Sequence, residues 1–333
     1  GGELTQPRDF SLMFKLHWGP VEYSANITYL RPETCQTIFP NFKNVLTATR
    51  MRVPFGIAQV GKSFRNEITT KAFIFRQREF EQMELEYFVH PSEGDKWFEF
   101  WLDRRRRWYL SLGVRESNLR LRQHDKDELA HYAKDCYDVE YKFPMGWSEL
   151  EGIANRTDYD LRRHSEFSKK DLSYRDDLTG EKYIPWVIES SAGVDRTILV
   201  LLSDAYDIDQ APNDKGEMEE RLVLRFSPKV APVTVAVFPL FKKPGLGELA
   251  RQIEHSLRGP YRTAYDESGN IGKRYRRQDE IGTPLCVTVD YDSLEDHAVT
   301  IRNRDTMEQI RVSVDQIHQA VADQLKEMEK PRA

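Results

Sequence analysis

Ile74–Val89 reads IFRQREFEQMELEYFV, and an earlier strand-like run, Ile57–Glu67, ends in Phe64-Arg65-Asn66-Glu67. About six residues separate the two runs, a spacing that predicts an antiparallel hairpin. Side chains alternate across a strand, so Met83, Leu85, Tyr87 and Val89 share one face. Arg76, Arg78, Phe80, Gln82, Glu84 and Glu86 share the other, and Gln59, Arg65 and Glu67 fall together on the first run. Such a surface suits a small ligand that is anionic, aromatic and cationic in different places, as an adenylated amino acid is. It equally suits a solvated face laced with cross-strand ion pairs, each worth about 0.2–1 kcal/mol. The hairpin taken alone leaves both readings open.

Around it lies a chain of 333 residues, long enough for two domains with cores of their own. With 39% hydrophobic and 31% charged residues the composition is globular, not disordered. The net charge of −5 means that any nucleic-acid partner must be held by local basic patches. No apolar run approaches the roughly 20 residues of a membrane span, and a cytoplasmic location is expected. Cys35, Cys136 and Cys286 are isolated in sequence, which argues against disulfide and zinc frameworks.

Along the chain, Phe10–Trp18 and Glu149–Ile153 read as strands, and Asn41–Arg50 and Asp95–Leu112 as helices. The basic run Arg104–Arg107 is either a solvated helix face or a phosphate contact. Arg162–Lys170 is polar and predicts a mobile loop. Tyr183–Ile188 predicts a strand, and Ser190-Ser191 an N-cap for a helix over Val194–Tyr206. Asp207–Glu220 is polar and turn-rich. Strands over Pro232–Leu240, Tyr261–Tyr265 and Leu285–Asp290 then alternate with helical segments, with Val299–Arg302 as an edge strand and Val312–Met328 as a terminal helix. The early part is therefore α+β with an antiparallel sheet, and the late part α/β with a mixed, largely parallel one. The boundary falls near Ser227-Pro228-Lys229.

Arg65-Asn66-Glu67 followed by FRQREFEQME (Phe75–Glu84) resembles motif 2 of the class II aminoacyl-tRNA synthetases, in wording closest to the glycyl-tRNA synthetases. LRPETCQTIF (Leu30–Phe39), SELEGIANRTDYDL (Ser148–Leu161), ESSAGVDR (Glu189–Arg196) and GNIGKRYRRQDEIGTP (Gly269–Pro284) resemble the same family in the same order. The resemblance implies an α+β class II catalytic domain over residues 1–228, lacking motif 1, and an α/β anticodon-binding domain over 229–333. The opening Gly1-Gly2-Glu3-Leu4-Thr5 has no initiating Met, and the chain reads as N-terminally incomplete. The implied activity uses ATP and Mg²⁺ to make glycyl-adenylate and transfers glycine to the 3′ end of tRNA(Gly), as a homodimer in the full-length protein. Alternatives are serine, alanine or proline specificity on the same scaffold, or a non-catalytic nucleic-acid-binding paralogue.

By the same resemblance, Arg65 holds the α-phosphate and the substrate carboxylate, and Arg196 the far phosphates and the adenine. Phe80 stacks on the adenine and Glu67 accepts from its amino group. Asn66, Phe75, Gly193 and Asp195 complete the nucleotide site, and Arg76 and Arg78 assist with phosphates or the motif-2 loop. Glu149, with the carbonyl of Leu150, sits where Mg²⁺-ATP binds. Glycine is assigned to Glu33, Glu84, Glu189 and Ser191, with Phe80, Glu81, Gln82, Met83 and Gly193 alongside. Carboxylates converging on one cation repel one another, so at least one of them is expected to hold its proton more tightly than usual. Thr37 stands where glycine is usual, which bears on pocket size, and Cys35 stands where alanine is usual. In the second domain, Lys273, Arg274, Arg276 and Arg277 form the basic patch assigned to tRNA.

Overall fold

The computed structural model describes residues 10–213 and 216–329, so the opening Gly1–Thr5 lies outside the described residues. The described residues fall into two compact units, one within Gly1–Arg107 and Leu119–Leu199, the other within Trp108–Asn118 and Val200–Ala333.

In the first unit, β1 (Lys15–His17) pairs with β2 (Ile27–Tyr29), and α1 (Phe42–Thr49) follows. The main sheet is built from β3 (Phe55–Phe64), β4 (Glu79–Val89), β5 (Leu119–Gln123), β6 (Asp135–Phe143), β7 (Gly146–Thr157) and β10 (Trp186–Gly193). Its order is β3-β4-β10-β7-β6-β5, and every pairing is antiparallel. Helix α2 (Gly94–Ser111) follows β4, and α3 (Tyr159–Ser168) follows β7. A short pair, β8 (Tyr174–Arg175) with β9 (Lys182–Tyr183), precedes β10, which runs straight into α4 (Val194–Ala205).

The hairpin forms, but its loop is longer than the pattern predicts, because Ile74–Arg78 lies outside the strand. Arg78 is drawn out of the sheet: its Nε donates to Glu67 O at 2.9 Å and its Nη2 to Ile68 O at 3.3 Å. The faces of β4 also reverse the simple expectation. Gln82, Glu84 and Glu86 are buried, while Met83, Leu85 and Tyr87 are only half-buried. The apolar face is covered by α2, with Tyr87 5.0 Å from the Trp97 ring and 5.2 Å from Trp101. The polar row continues into Phe88, which packs 4.6 Å from Phe42 and 5.3 Å from Phe55 in an aromatic core. That core anchors one end of the row.

Three local expectations change. Arg162–Lys170 is mostly helix α3, because Leu161 buries completely and Asp158 pairs with Arg162 one turn on at 3.4 Å. Ser190 and Ser191 belong to β10, so α4 has no serine cap. The polar stretch after α4 is a hairpin, β11 (Tyr206–Pro212) with β12 (Met218–Leu224), in which Arg221 pairs with Asp209, and Arg225, just past β12, with Asp207.

The second unit carries a five-stranded sheet of β13 (Val235–Pro239), β14 (Thr263–Tyr265), β15 (Leu285–Val289), β16 (Ala298–Asn303) and β17 (Gln309–Ser313). The order is β14-β13-β15-β16-β17; the first three strands are parallel and the last two add antiparallel. Val299–Arg302 is therefore interior, and the edge is β17, whose polar sequence hides it from pattern reading. Helices α5 (Leu246–Leu257), α6 (Ile271–Ile281), α7 (Ser293–Asp296) and α8 (Ile317–Met328) complete the unit. The apolar faces of α5 and α8 pack on Val235, Val237, Leu285, Val287 and Val299.

Helix α6 carries the basic patch. Asn270 caps it, accepting from Lys273 N at 2.9 Å, and Gly282 ends it at φ +81°, where a Cβ would lie 2.5 Å from the Phe226 ring. Arg274 is 2% exposed and ties β13 to the turn before α6, donating to Pro239 O and, at 2.8 Å, to Gly269 O. Arg274→Ala orphans both carbonyls and is expected to destabilise the protein by about 1–3 kcal/mol. Urea unfolding of variant and parent side by side checks this, and an unchanged midpoint would contradict it.

Candidate active site

A pocket of the first unit opens beside the β3–β4 loop. Arg65, Glu67, Phe75, Arg76, Phe80, Gln82, Glu149, Ser191, Gly193, Asp195 and Arg196 all line it. The register explains how residues so distant in sequence meet: β4 lies beside β10 with Gln82 opposite Gly193 and Glu84 opposite Ser191.

Three guanidinium groups converge there. Arg196 enters from the first turn of α4, donates from Nη1 to Glu149 O at 2.8 Å and lies 4.3 Å over the Phe75 ring. Its carboxylate neighbour, Glu149 Oε1, is 3.4 Å away. Burial, and then the charges of Arg76 and Arg65, push the Arg196 guanidinium below its usual range, while Glu149 opposes them. Arg65 donates from Nε to Pro32 O at 3.2 Å and lies 5.4 Å over the Phe80 ring. Arg76 is 4.0 Å from Glu67. Two aromatic rings and three cations around one opening make a receptor for an aromatic polyanion.

Behind this pocket runs a row of buried carboxylates. Glu84 accepts four hydrogen bonds: from Thr34 Oγ1, Cys35 N at 2.5 Å, Gln82 Nε2 at 2.8 Å and Ser191 Oγ at 2.8 Å. Burial nevertheless raises its pKa, with the bonds from Thr34 and Ser191 opposing. Glu189 is bonded to Arg156 Nη1 at 2.5 Å, and burial pushes its carboxyl up to about 7 against the pull of Arg156. Glu33 completes the group, 3.9 Å from Arg65 and 3.3 Å from Cys35 Sγ. Two of the carboxyls thus hold their protons more tightly than usual, but chiefly because they are buried; the charges of their carboxylate neighbours add a smaller push.

Several assigned side chains are not brought in. Glu81 and Met83 alternate onto the other face of β4; the Glu81 side chain is exposed, and its backbone N–H is held by Asp195 Oδ2 at 3.0 Å. Leu150 is 1% exposed and points into the core, opposite Glu149. Asn66 does not line the pocket; its backbone N–H donates to Leu12 O at 2.7 Å. Arg78 supports the loop, as described above. Thr37 is exposed and bonds the Gln59 amide at 2.7 Å, so it does not wall the pocket; Cys35, 1% exposed, sits against the carboxylates instead. In the second unit Arg277 is spent on Asp266 at 2.5 Å. Lys273 and Arg276 line a cleft of about 620 Å³ with Tyr275 and Arg302.

One residue had no assigned role and proves central. Arg156, 4% exposed, forks onto Asp160 at 2.7 and 2.9 Å, bonds Glu189 and lies 3.8 Å over the Tyr132 ring. Its signal was its place inside Ser148–Leu161. Gln82 orients Glu84 and Ser191 together through one amide nitrogen. For a hard cation the accessible donor is Glu149, whose side chain is 55% exposed at the rim of the cationic pocket. Elsewhere His124, Cys136 and Asp138 place ligand atoms within 4.8 Å of one another, but Arg122 already bonds Asp138 at 2.8 Å.

Comparison with known proteins bears on both units. The tRNA synthetase class II core domain (G, H, P, S and T) family matches residues 21–205, and the anticodon binding domain family matches residues 234–324. A glycine–tRNA ligase of Treponema denticola is 58% identical over 94% of this chain and 69% of its own length. That of Bifidobacterium longum is 58% identical over 96% of this chain and 66% of its own length. For Thermobifida fusca the values are 54%, 97% and 71%. The chain thus spans about two thirds of the length of these relatives.

Arg156 has a consequence for stability independent of any ligand. Arg156→Ala leaves Glu189 and Asp160 buried without their cation, a change expected to cost about 3–5 kcal/mol. Chemical unfolding measures it; a loss below about 1 kcal/mol would show that the arginine does not balance these charges.

Proposed function

Because the chain belongs to the class II aminoacyl-tRNA synthetases and, among them, to the glycine–tRNA ligases, we propose that it joins glycine to ATP as glycyl-adenylate and passes the glycyl group to tRNA(Gly). The observation that carries this reading is the meeting of Arg65, Arg76 and Arg196 with Phe75 and Phe80 in one pocket, backed by buried carboxylates.

Activation brings two anions together. A glycine carboxylate oxygen attacks the α-phosphorus, the new O–P bond forms as the bond to the β-phosphate oxygen breaks, and pyrophosphate leaves. Arg65, between Phe80 and Glu33, is the group that spans the carboxylate and the α-phosphate. Arg196 meets the departing phosphates, and its low-solvent position strengthens that interaction. Phe80 receives the adenine, with Glu67 at the same rim. Glu149 and the nucleotide's own phosphates would hold Mg²⁺, which neutralises phosphate charge. No protein nucleophile is required.

Glycine has no side chain to read, so its ammonium group and its small size must serve. Glu33 and Glu189 supply negative charge, Ser191 and Gln82 fix Glu84 beside them, and Cys35 occupies the space behind. The hydrogen-bonded row of carboxylates supports the ligase over a non-catalytic paralogue, and the names of the relatives support glycine over serine, alanine or proline.

We assign residues 1–228 to catalysis and 229–333 to the anticodon-binding domain; the two family matches end and begin on either side of that division. Lys273, facing the cleft, is the remaining candidate for tRNA phosphates, since Arg274, Arg276 and Arg277 are committed within the fold, Arg276 to Glu219 at 3.0 Å. Family membership supports a homodimer in the full-length protein and a cytoplasmic setting. Among the described residues no helix is long and apolar enough to cross a membrane.

Arg65→Ala and Arg196→Ala are each expected to lower glycine-dependent pyrophosphate exchange by about 10²–10³-fold. Exchange within about threefold of the parent in either variant would remove that arginine from the assigned role.

A further inference from the structure

Glu86 is the one member of the carboxylate row with no assigned part in substrate binding. It is 0% exposed, and neither of its carboxyl oxygens has a hydrogen-bond partner. It faces Glu189 directly across the β4–β10 pair and Ile57 across β3. The charged groups around it are Glu84 on its own strand, Glu189 on β10, Arg156 on β7 and Asp160 on α3, with the Cys35 thiol beside the row. Arg156 is the cation among them, and its donors are directed to Glu189 and Asp160.

Two carboxylates set opposite each other in an apolar layer cannot both ionise without strong repulsion. Glu189 has the arginine; Glu86 has no donor at all. We propose that Glu86 is held as a neutral carboxylic acid beneath the glycine pocket, where it acts as a positioning residue that leaves Glu189 as the anion presented to the substrate's ammonium group. This rests on the glycine-activating reading of the site. Burial, and then the charge of Glu189, raise the Glu86 carboxyl well above its ordinary 4.5, in line with the geometry.

Two readouts separate this role from simple core packing. In the first, glycine and ATP KM values are measured by pyrophosphate exchange in Glu86→Ala, Glu86→Gln and Glu189→Gln. Glu86→Ala frees Glu189 to shift, and its glycine KM is expected to rise about tenfold or more with the ATP KM unchanged. Glu86→Gln, neutral and of the same shape, is expected to restore it to within about threefold. If Glu86→Gln raises the glycine KM as far as Glu189→Gln does, Glu86 is an anion and the proposal fails. If Glu189→Gln leaves exchange intact, the glycine-site reading fails instead.

The second readout is stability against pH. A carboxyl with a raised folded-state pKa binds its proton more tightly when folded. Its contribution is complete below the ordinary carboxylate value and is lost as pH rises toward the folded value. Glu86→Gln carries no such proton. The unfolding constant of the parent relative to Glu86→Gln should therefore climb by up to tenfold per pH unit from about pH 5 upward. A ratio that stays flat from about pH 5 to about pH 8 would overturn the proposal. Glu86→Met, neutral and apolar, gives the same comparison if the glutamine variant does not fold.

Discussion

Everything in the first unit turns on one constraint: a row of carboxylates has been buried on the inner face of a sheet and must be kept solvated by the protein itself. Glu84 is solvated by four donors and Glu189 by Arg156. Burying such charges is costly unless partners are placed accurately. The antiparallel register of β4 against β10 sets Glu84 opposite Ser191, and the turn after Pro32 brings Thr34 and Cys35 over it. The aromatic cluster of Phe42, Phe55 and Phe88 closes the far end and excludes water there. A pocket built this way is prepared for a small cation before any ligand arrives.

The adjacent cationic pocket is the electrostatic complement. Arg65, Arg76 and Arg196 each have one carboxylate at 3.4–4.0 Å, Glu33, Glu67 and Glu149, and keep donors free for an incoming phosphate. Glycyl-adenylate carries its ammonium at one end and its phosphate in the middle, the order in which the proposed function uses the two regions. Arg65 stands at the junction, close to both Glu33 and Phe80.

Much of this was legible in the chain. Period-two reading of Ile74–Val89 placed Phe80, Gln82, Glu84 and Glu86 on one face, and motif wording supplied Arg65, Arg196 and Glu189. Alternation does not say which face is buried, however, and here the polar face is. Arg156 stayed hidden because its importance comes from tertiary pairing with Glu189 and Asp160 and not from any local pattern. In the second unit the basic string of α6 looked like a surface patch. Arg274 shows why such strings mislead: a guanidinium can bury when carbonyls meet its two terminal nitrogens. Arg221 and Arg302 converge on Asp279, so β12 and β16 are held to α6 by charge pairs that hydrophobic periodicity cannot reveal.

The central claim is that buried carboxylates read the ammonium group of glycine. Its most direct test is calorimetric binding of a non-hydrolysable glycyl-adenylate analogue against the same compound with the amino group replaced by hydrogen. The account predicts that removing the amine weakens binding by about 10²-fold or more, because Glu33 and Glu189 then lose their cation in a low-dielectric site. Equal affinity for the two compounds would contradict it.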